Sequence, residues 1–227
     1  MRPAPTVVKL GGSHAFSEHL AGWVEAIADC AGHVIVVPGG GPFADAVRDA
    51  QPKIGFDDAA AHHMALLAME QYGCALASLN GAFVLADSAD AMERAMDARQ
   101  VPVWMPSRMA LAAEDIPASW DITSDSLAAW LAGHLGARRL LLVKHVGLGA
   151  ATVSSPDATV SSPEATVSSP EATVSSPELI ARGIVDPAFP AFLNRAKVSA
   201  TVLGPADQAL LGSIIKSGSA AGTRIDP

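Results

Sequence analysis

The sequence predicts an α/β protein, a three-layer α/β/α sandwich with helices on both faces of a mostly parallel sheet. Three observations carry this reading. Short apolar runs of strand length alternate with stretches whose apolar residues recur at helical spacing. Half of the 227 residues are hydrophobic and only 5% are aromatic, a composition suited to close packing of helices on a sheet. Two glycine turns, both within the first 45 residues, each follow directly on an apolar strand.

The elements follow in order. The first strand, 6–10, is Thr6-Val7-Val8-Lys9-Leu10 and stops at Gly11-Gly12-Ser13. Leu20, Trp23, Val24 and Ile27 then share one helical face. The second strand, 33–37, runs into Pro38-Gly39-Gly40-Gly41-Pro42. Pro42 suits the first turn of a helix, whose apolar stripe is Phe43, Ala46, Val47 and Ala50. The Ala/Met-rich run 57–79 predicts a long helix. A strand at 83–86, a helix at 89–99 and a strand at 101–105 come next. The segment 123–135 reads as a helix with Leu127, Trp130, Leu131 and His134 on one face. After it come a strongly apolar strand at 139–144, a helix at 187–196, a strand at 198–203 and a helix at 205–216.

One stretch interrupts the alternation. The heptad Ala151-Thr152-Val153-Ser154-Ser155-Pro156-Asp157 is the first of four units that run through residue 178, with Glu in the last place of the later units. A proline in every unit excludes a helix, and so a heptad coiled coil. The composition predicts a flexible, polyproline-prone insertion at 151–178 inside a surface loop.

Several function classes drop out. Net charge is −8 and no basic cluster exceeds Arg138-Arg139, so a nucleic-acid partner is not expected. No apolar run approaches the roughly 20 residues of a membrane span. Residues 1–5 lead straight into a strand without signal-peptide character, so a cytoplasmic location is expected. Cys30 and Cys74 show no metal-ligand spacing and read as two reduced, buried thiols. His62 and His63 point about 100° apart on a helix, which favours a helix surface over a shared metal. No metal site is expected.

The remaining chemistry is anionic. A strand that ends in glycines and opens a helix presents unpaired N–H groups to phosphate or carboxylate. Two such turns suggest two anions brought face to face. Lys9, one residue before its strand ends, can hold a transferring phosphoryl group as a point charge; a snorkelling surface lysine is the plainer reading. Thr123 and Ser124 can cap a helix, while Asp125 beside them exceeds what a cap needs. Gly39-Gly40-Gly41-Pro42-Phe43-Ala44 also meets a loose dinucleotide fingerprint. That fingerprint requires an acid about 20 residues on at a strand end, whereas Asp57 and Asp58 open a helix. An NAD(P)-dependent oxidoreductase is therefore one alternative. No Walker A sequence occurs.

Val8-Lys9-Leu10-Gly11-Gly12-Ser13, Pro38-Gly39-Gly40-Gly41 and Thr123-Ser124-Asp125 together resemble the amino acid kinase superfamily, which includes aspartokinase, acetylglutamate kinase, uridylate kinase and isopentenyl phosphate kinase. Ser119-Trp120-Asp121-Ile122-Thr123-Ser124-Asp125-Ser126-Leu127 and Gly183-Ile184-Val185-Asp186-Pro187-Ala188-Phe189-Pro190 look most like the small aspartokinase-related kinases of methanofuran-type cofactor biosynthesis. The resemblance implies one amino acid kinase domain over 1–227, with an acceptor-binding half at 1–136 and a nucleotide-binding half at 137–227. It implies ATP and Mg²⁺, a small phosphate- or amine-bearing acceptor such as (5-(aminomethyl)furan-3-yl)methyl phosphate, and a homo-oligomer. Lys9 would stabilise the phosphoryl group in flight, and Asp125 would orient the cations. Gly11, Gly12, Ser13 and Lys144 would hold nucleotide phosphates. Gly39, Gly40, Gly41, Thr123 and Ser124 would hold the acceptor.

Two departures from the family pattern bear on the nucleotide. An Asp-Val-Asp-Gly segment usually follows the strand before the nucleotide loop, and here the chain reads Lys144-His145-Val146-Gly147. A lysine often lies on the following helix, where this chain offers Arg195 or Lys197 as the second cation. These departures make a ligand-binding sensor that has lost turnover a further alternative.

Overall fold

Near-continuous apolar runs along the central strands, buried at almost every position, give the sheet two dry faces. The computed structural model describes residues 3–145, 173–217 and 221–226. Its strands are β1 (Thr6–Leu10), β2 (Val34–Pro38), β3 (Phe83–Ala86), β4 (Val101–Trp104), β5 (Arg139–Val143), β6 (Thr173–Ser175), β7 (Ser199–Leu203) and β8 (Thr223–Asp226). They form one sheet in the order β3-β4-β2-β1-β5-β7-β8-β6. The pairings are parallel except β7 with β8. The helices are α1 (Leu20–Ala28), α2 (Gly41–Ile54), α3 (Asp58–Leu79), α4 (Ala89–Asp97), α5 (Ser107–Ala110), α6 (Ser124–His134), α7 (Ser176–Ala181), α8 (Phe189–Ala196) and α9 (Leu211–Ser217).

Successive strand residues serve opposite layers. Val7, Ile35, Leu140 and Leu142 pack with Leu127, Leu131, Phe189 and Phe192 from α6 and α8. Val8, Val36, Leu141 and Val143 pack with Trp23, Ile27, Leu211 and Ile214 from α1 and α9. The expected parallel α/β/α arrangement is therefore what forms. Cys30 is buried as expected, but Cys74 is exposed, because it lies on the outer side of α3.

The strand order positions the site. β1 has β2 on one side and β5 on the other, a topological switch point where α/β sheets open a crevice. Leu10 stands level with Pro38 and with Val143 in the two ladders. Both glycine turns and Lys144 therefore leave the sheet side by side.

The repeat reading needs one correction. Most of the 151–178 segment lies outside the described residues, but its last unit is built into the fold. Thr173–Ser175 is β6, paired with β8, and Val174 is buried. Ser175 caps α7 by accepting from the Glu178 amide, and the buried Ser176 hydroxyl donates to the Asp226 carbonyl. The β-branched Val, free to pair because proline comes three residues later, suits an edge strand. The run read as one helix over 205–216 is a 3₁₀ segment, Pro205–Leu210, followed by α9.

Candidate active site

β1 carries a lysine one residue before its end and β5 is followed by another, and adjacency of the two strands brings both to one carboxylate. Lys9 Nζ lies 2.9 Å from Asp125 Oδ1, and Lys144 Nζ lies 2.8 Å from each Asp125 oxygen. All three are buried, at 5%, 8% and 4% exposure for Lys9, Lys144 and Asp125. Burial alone would push the Asp125 carboxyl up, but Lys144 and Lys9 hold it below its ordinary value. Burial, with Lys9 adding repulsion, draws Lys144 down to about 8 despite Asp125. With both lysines protonated the cluster carries one net positive charge, which is a demand for an anion.

The helix start that carries Asp125 is held by a second carboxylate. Thr123 occupies the N-cap position of α6 but its side chain does not cap the helix, contrary to the sequence expectation. Asp186 caps from outside. Its Oδ2 accepts from the Thr123 amide (2.9 Å), the Thr123 hydroxyl (2.8 Å) and the Ser126 amide (3.0 Å), and its Oδ1 accepts from the Ser126 hydroxyl. Asp186 quotes a sequence motif, yet nothing in its local pattern announces this role.

The two glycine turns touch backbone to backbone. A Cβ on Gly12 would overlap the Gly41 amide nitrogen, and one on Gly39 would overlap that of Gly12. Gly41 has φ +54°, a left-handed conformation that favours glycine. Gly11 lies against Lys9: its Cβ position is 3.4 Å from Lys9 Nζ and 3.4 Å from Ser13 Oγ. Beneath this turn the His14 ring is fully buried, with both nitrogens unpartnered among the described residues. Burial, then His145 and Lys9, lower its pKa to about 4, so it is neutral at pH 7.

Beside the turns opens a cavity of about 380 Å³. Gly12, Ser13, Gly40, Gly41, Thr123 and Ser124 form its inner end, and Leu66, Met69, Ile122 and Leu127 supply apolar walls. Asp45, Arg48, His62 and Trp120 complete it. The Arg48 guanidinium lies 4.5 Å over the Trp120 ring and 3.0 Å from Asp45. The Trp120 indole donates to Gln51 at 2.6 Å, which fixes this wall.

The structure thus gathers Lys9, Gly11, Gly12, Ser13, Gly39, Gly40, Gly41, Thr123, Ser124, Asp125 and Lys144. Arg195 and Lys197 stand apart. α8 starts beside Asp121, whose carbonyl accepts from the Ala188 amide, and ends where Ala196 packs on Gly133 of α6. Gly133 is eight residues beyond Asp125, about 12 Å along the helix. Arg195 there covers the Phe192 ring at 4.3 Å and lies 3.8 Å from Asp115, and Lys197 ends α8. Lys144 is the cation that stands with Lys9. Asp57 caps α3 and Asp58 opens it, so neither provides the strand-end acid of a dinucleotide site. Of the nucleotide-loop departure at 144–147, Val146 and Gly147 lie outside the described residues. Among the described residues no three His, Cys, Asp or Glu side chains converge for a metal ion.

The sequence matches the amino acid kinase family over residues 4–160. It is similar to [5-(aminomethyl)furan-3-yl]methyl phosphate kinase of Methanocaldococcus jannaschii, with 26% identity over 144 residues, 62% of this chain and 65% of that protein. The match thus spans just under two thirds of that relative's length. The fold is similar to uridylate kinase from Archaeoglobus fulgidus (TM-score 0.66, 20% identity, 98% of this chain and 100% of that one). It is also similar to UMP kinase from Ureaplasma parvum (TM-score 0.65, 16% identity, 100% of each chain).

Proposed function

The chain belongs to the amino acid kinase family, a family of phosphotransferases, and we propose that it moves the γ-phosphoryl group of ATP onto an acceptor that is already an anion. The favoured acceptor is (5-(aminomethyl)furan-3-yl)methyl phosphate, the substrate in the name of the Methanocaldococcus relative. One observation carries the anionic acceptor. The carboxylate that the described residues place at the reacting end, Asp125, has both oxygens on lysines and a lowered pKa, so it is a poor proton acceptor. An alcohol would need a general base there. A phosphate monoester needs none.

In this reading an acceptor phosphate oxygen attacks the γ-phosphorus, the bond to the β-phosphate oxygen breaks, and ADP and a diphosphate result. Lys9 and Lys144 neutralise charge on the transferring group, while the glycine turns hold the two phosphates in line. The net positive triad and the glycine backbone fit nucleotide phosphates, and Mg²⁺ would enter on those phosphates. Asp45, a lining residue paired with Arg48, is the carboxylate within the cavity for an acceptor amine. No helix among the described residues is long and apolar enough to cross a membrane. The reading includes a cytoplasmic homo-oligomer, checked by light scattering of the purified chain.

The test is ADP release with ATP-Mg²⁺ across phosphate monoesters, amino acids and alcohols, with ³¹P NMR of the product. A new diphosphate from a phosphate monoester supports the reading. Turnover confined to carboxylates keeps the anionic acceptor and overturns the phosphate monoester, turnover confined to alcohols overturns both, and ATP binding without turnover on any acceptor favours a sensor.

A further inference from the structure

One wall of the proposed acceptor cavity carries a histidine whose buried ring nitrogen has no partner among the described residues. His62 is the fifth residue of α3, and its Nε2 is buried with no hydrogen-bond partner among the described residues. The ring lines both the cavity and the narrow gap where α3 meets Ser119, Trp120 and Ile122. Buried polar atoms in native proteins are almost always paired, so one left over at a cavity wall marks a missing ligand group. Burial, and then His63, lower the His62 pKa, which leaves a neutral imidazole at pH 7.

The first two turns of α2 set the scale. From Gly41 to Arg48 is seven residues, about 10 Å. The glycine turn lies at one end of that span, and Asp45, Arg48 and His62 lie towards the other. Leu66, Met69 and Ile122 between them form an apolar slot. A compact ring, with a phosphate at one end and a polar group at the other, fits this layout.

Resting on the reading of this cavity as the acceptor site, we infer that His62 is a specificity-determining residue whose Nε2 hydrogen-bonds an amine on the acceptor, opposite its phosphate. The ammonium donates to the Nε2 lone pair, so the ring proton sits on Nδ1. Asp45 lines the same cavity and would have to share its charge between Arg48, 3.0 Å away, and the ammonium. Since His62 is remote from Lys9 and Asp125, it sets acceptor affinity and leaves the chemical step alone.

The experiment uses the full chain with two acceptors, (5-(aminomethyl)furan-3-yl)methyl phosphate and its analogue with methyl in place of aminomethyl. Turnover and calorimetric binding are measured for wild type, His62→Leu and His62→Gln, with thermal midpoints to confirm folding. In His62→Leu the KM and Kd for the amine acceptor should rise about tenfold, the worth of one hydrogen bond. The kcat and the ATP KM should stay within about twofold. His62→Gln, whose amide oxygen reaches towards the same point, should recover most of the loss. The methyl analogue should bind wild type and His62→Leu equally. Equal loss on both acceptors, no loss on the amine acceptor, or no recovery in His62→Gln overturns the inference. Turnover that ignores His62 leaves the kinase reading intact, whereas His62-dependent binding without turnover refutes the kinase reading alone. If wild type binds neither phosphate, both fall.

Discussion

Asp125→Asn deletes the one negative charge of a buried three-residue cluster. Its contacts to Lys9 and Lys144, all 2.8–2.9 Å, lose their charge, and two ammonium groups under a tenth exposed are left facing each other. Removing one partner of a buried pair typically costs about 3–5 kcal/mol. Here there is an escape. Lys144 already titrates at about 8, so shedding its proton at pH 7 costs about 1.4 kcal/mol, and less once the carboxylate that raised it is gone. The expected destabilisation at pH 7 is therefore about 1.5–3 kcal/mol, below the usual figure, with Lys144 neutral in the folded variant. A lysine neutral when folded and charged when unfolded gives the unfolded chain more protons. Stability then rises with pH between the folded-state value and the ordinary one. For wild type that window opens at about 8; for Asp125→Asn it opens lower. From pH 7 to 8 the stability gap between the two should shrink, by at most about 1.4 kcal/mol. Urea denaturation at half-unit steps from pH 6.5 to 8.5 measures it. A gap constant across that range would refute the assignment of Asp125 as the group that keeps Lys144 charged.

Lys9→Met keeps the stem and loses the charge, so folding should survive while turnover falls about 10²- to 10³-fold, roughly 3–4 kcal/mol. Combined with Asp125→Asn it should be little worse than the poorer single variant, and undiminished turnover in Lys9→Met would sink the mechanism. ATP affinity, by titration, should be flat below pH 8 and weaken above it as Lys144 loses its proton; Lys144→Met should bind more weakly and without that dependence. Deleting the first three repeat units, 151–171, should leave the thermal midpoint within a few degrees, since loop length costs only about 0.6 kcal/mol per doubling. Extending the deletion through 178 should lower it clearly, because Val174 and the β6–β8 ladder go with it; equal midpoints would mean that β6 contributes nothing.

What the sequence made legible was local. β1, its glycine turn and Lys9 are contiguous, and so are Thr123, Ser124 and Asp125, so strand and helix-start rules suffice to mark them. The partner of Asp125 is a different matter. Lys144 reads as a phosphate ligand in sequence, but its place beside Lys9 depends on β5 lying next to β1, and no local pattern encodes that sheet order. Arg195 and Lys197 illustrate the converse error. They sit on the expected helix, yet α8 runs alongside α6 and carries them away from the strand ends. His62 hides because α3 is apolar nearly all round, so periodicity does not say which side faces the cavity. The last repeat unit hides because its neighbours share its sequence; only pairing with β8 makes it a strand.

Asp186 shows why contact order limits such readings most severely at a functional centre. It acts on Ser126 from 60 residues away. A helix start leaves several N–H groups unsatisfied, and an acid in the first turn is ordinarily drawn to them. At α6 that acid is Asp125. Asp186 takes the Thr123 and Ser126 donors itself, which leaves both Asp125 oxygens for Lys9 and Lys144. Two carboxylates thus divide two tasks that one could not do: one closes the helix end, and the other sets the charge of the site. The cost is a second buried acid, and four hydrogen bonds to it offset that cost. In the proposed reaction the lysine pair is thereby oriented before any anion arrives, which is where electrostatic catalysis draws its advantage over water.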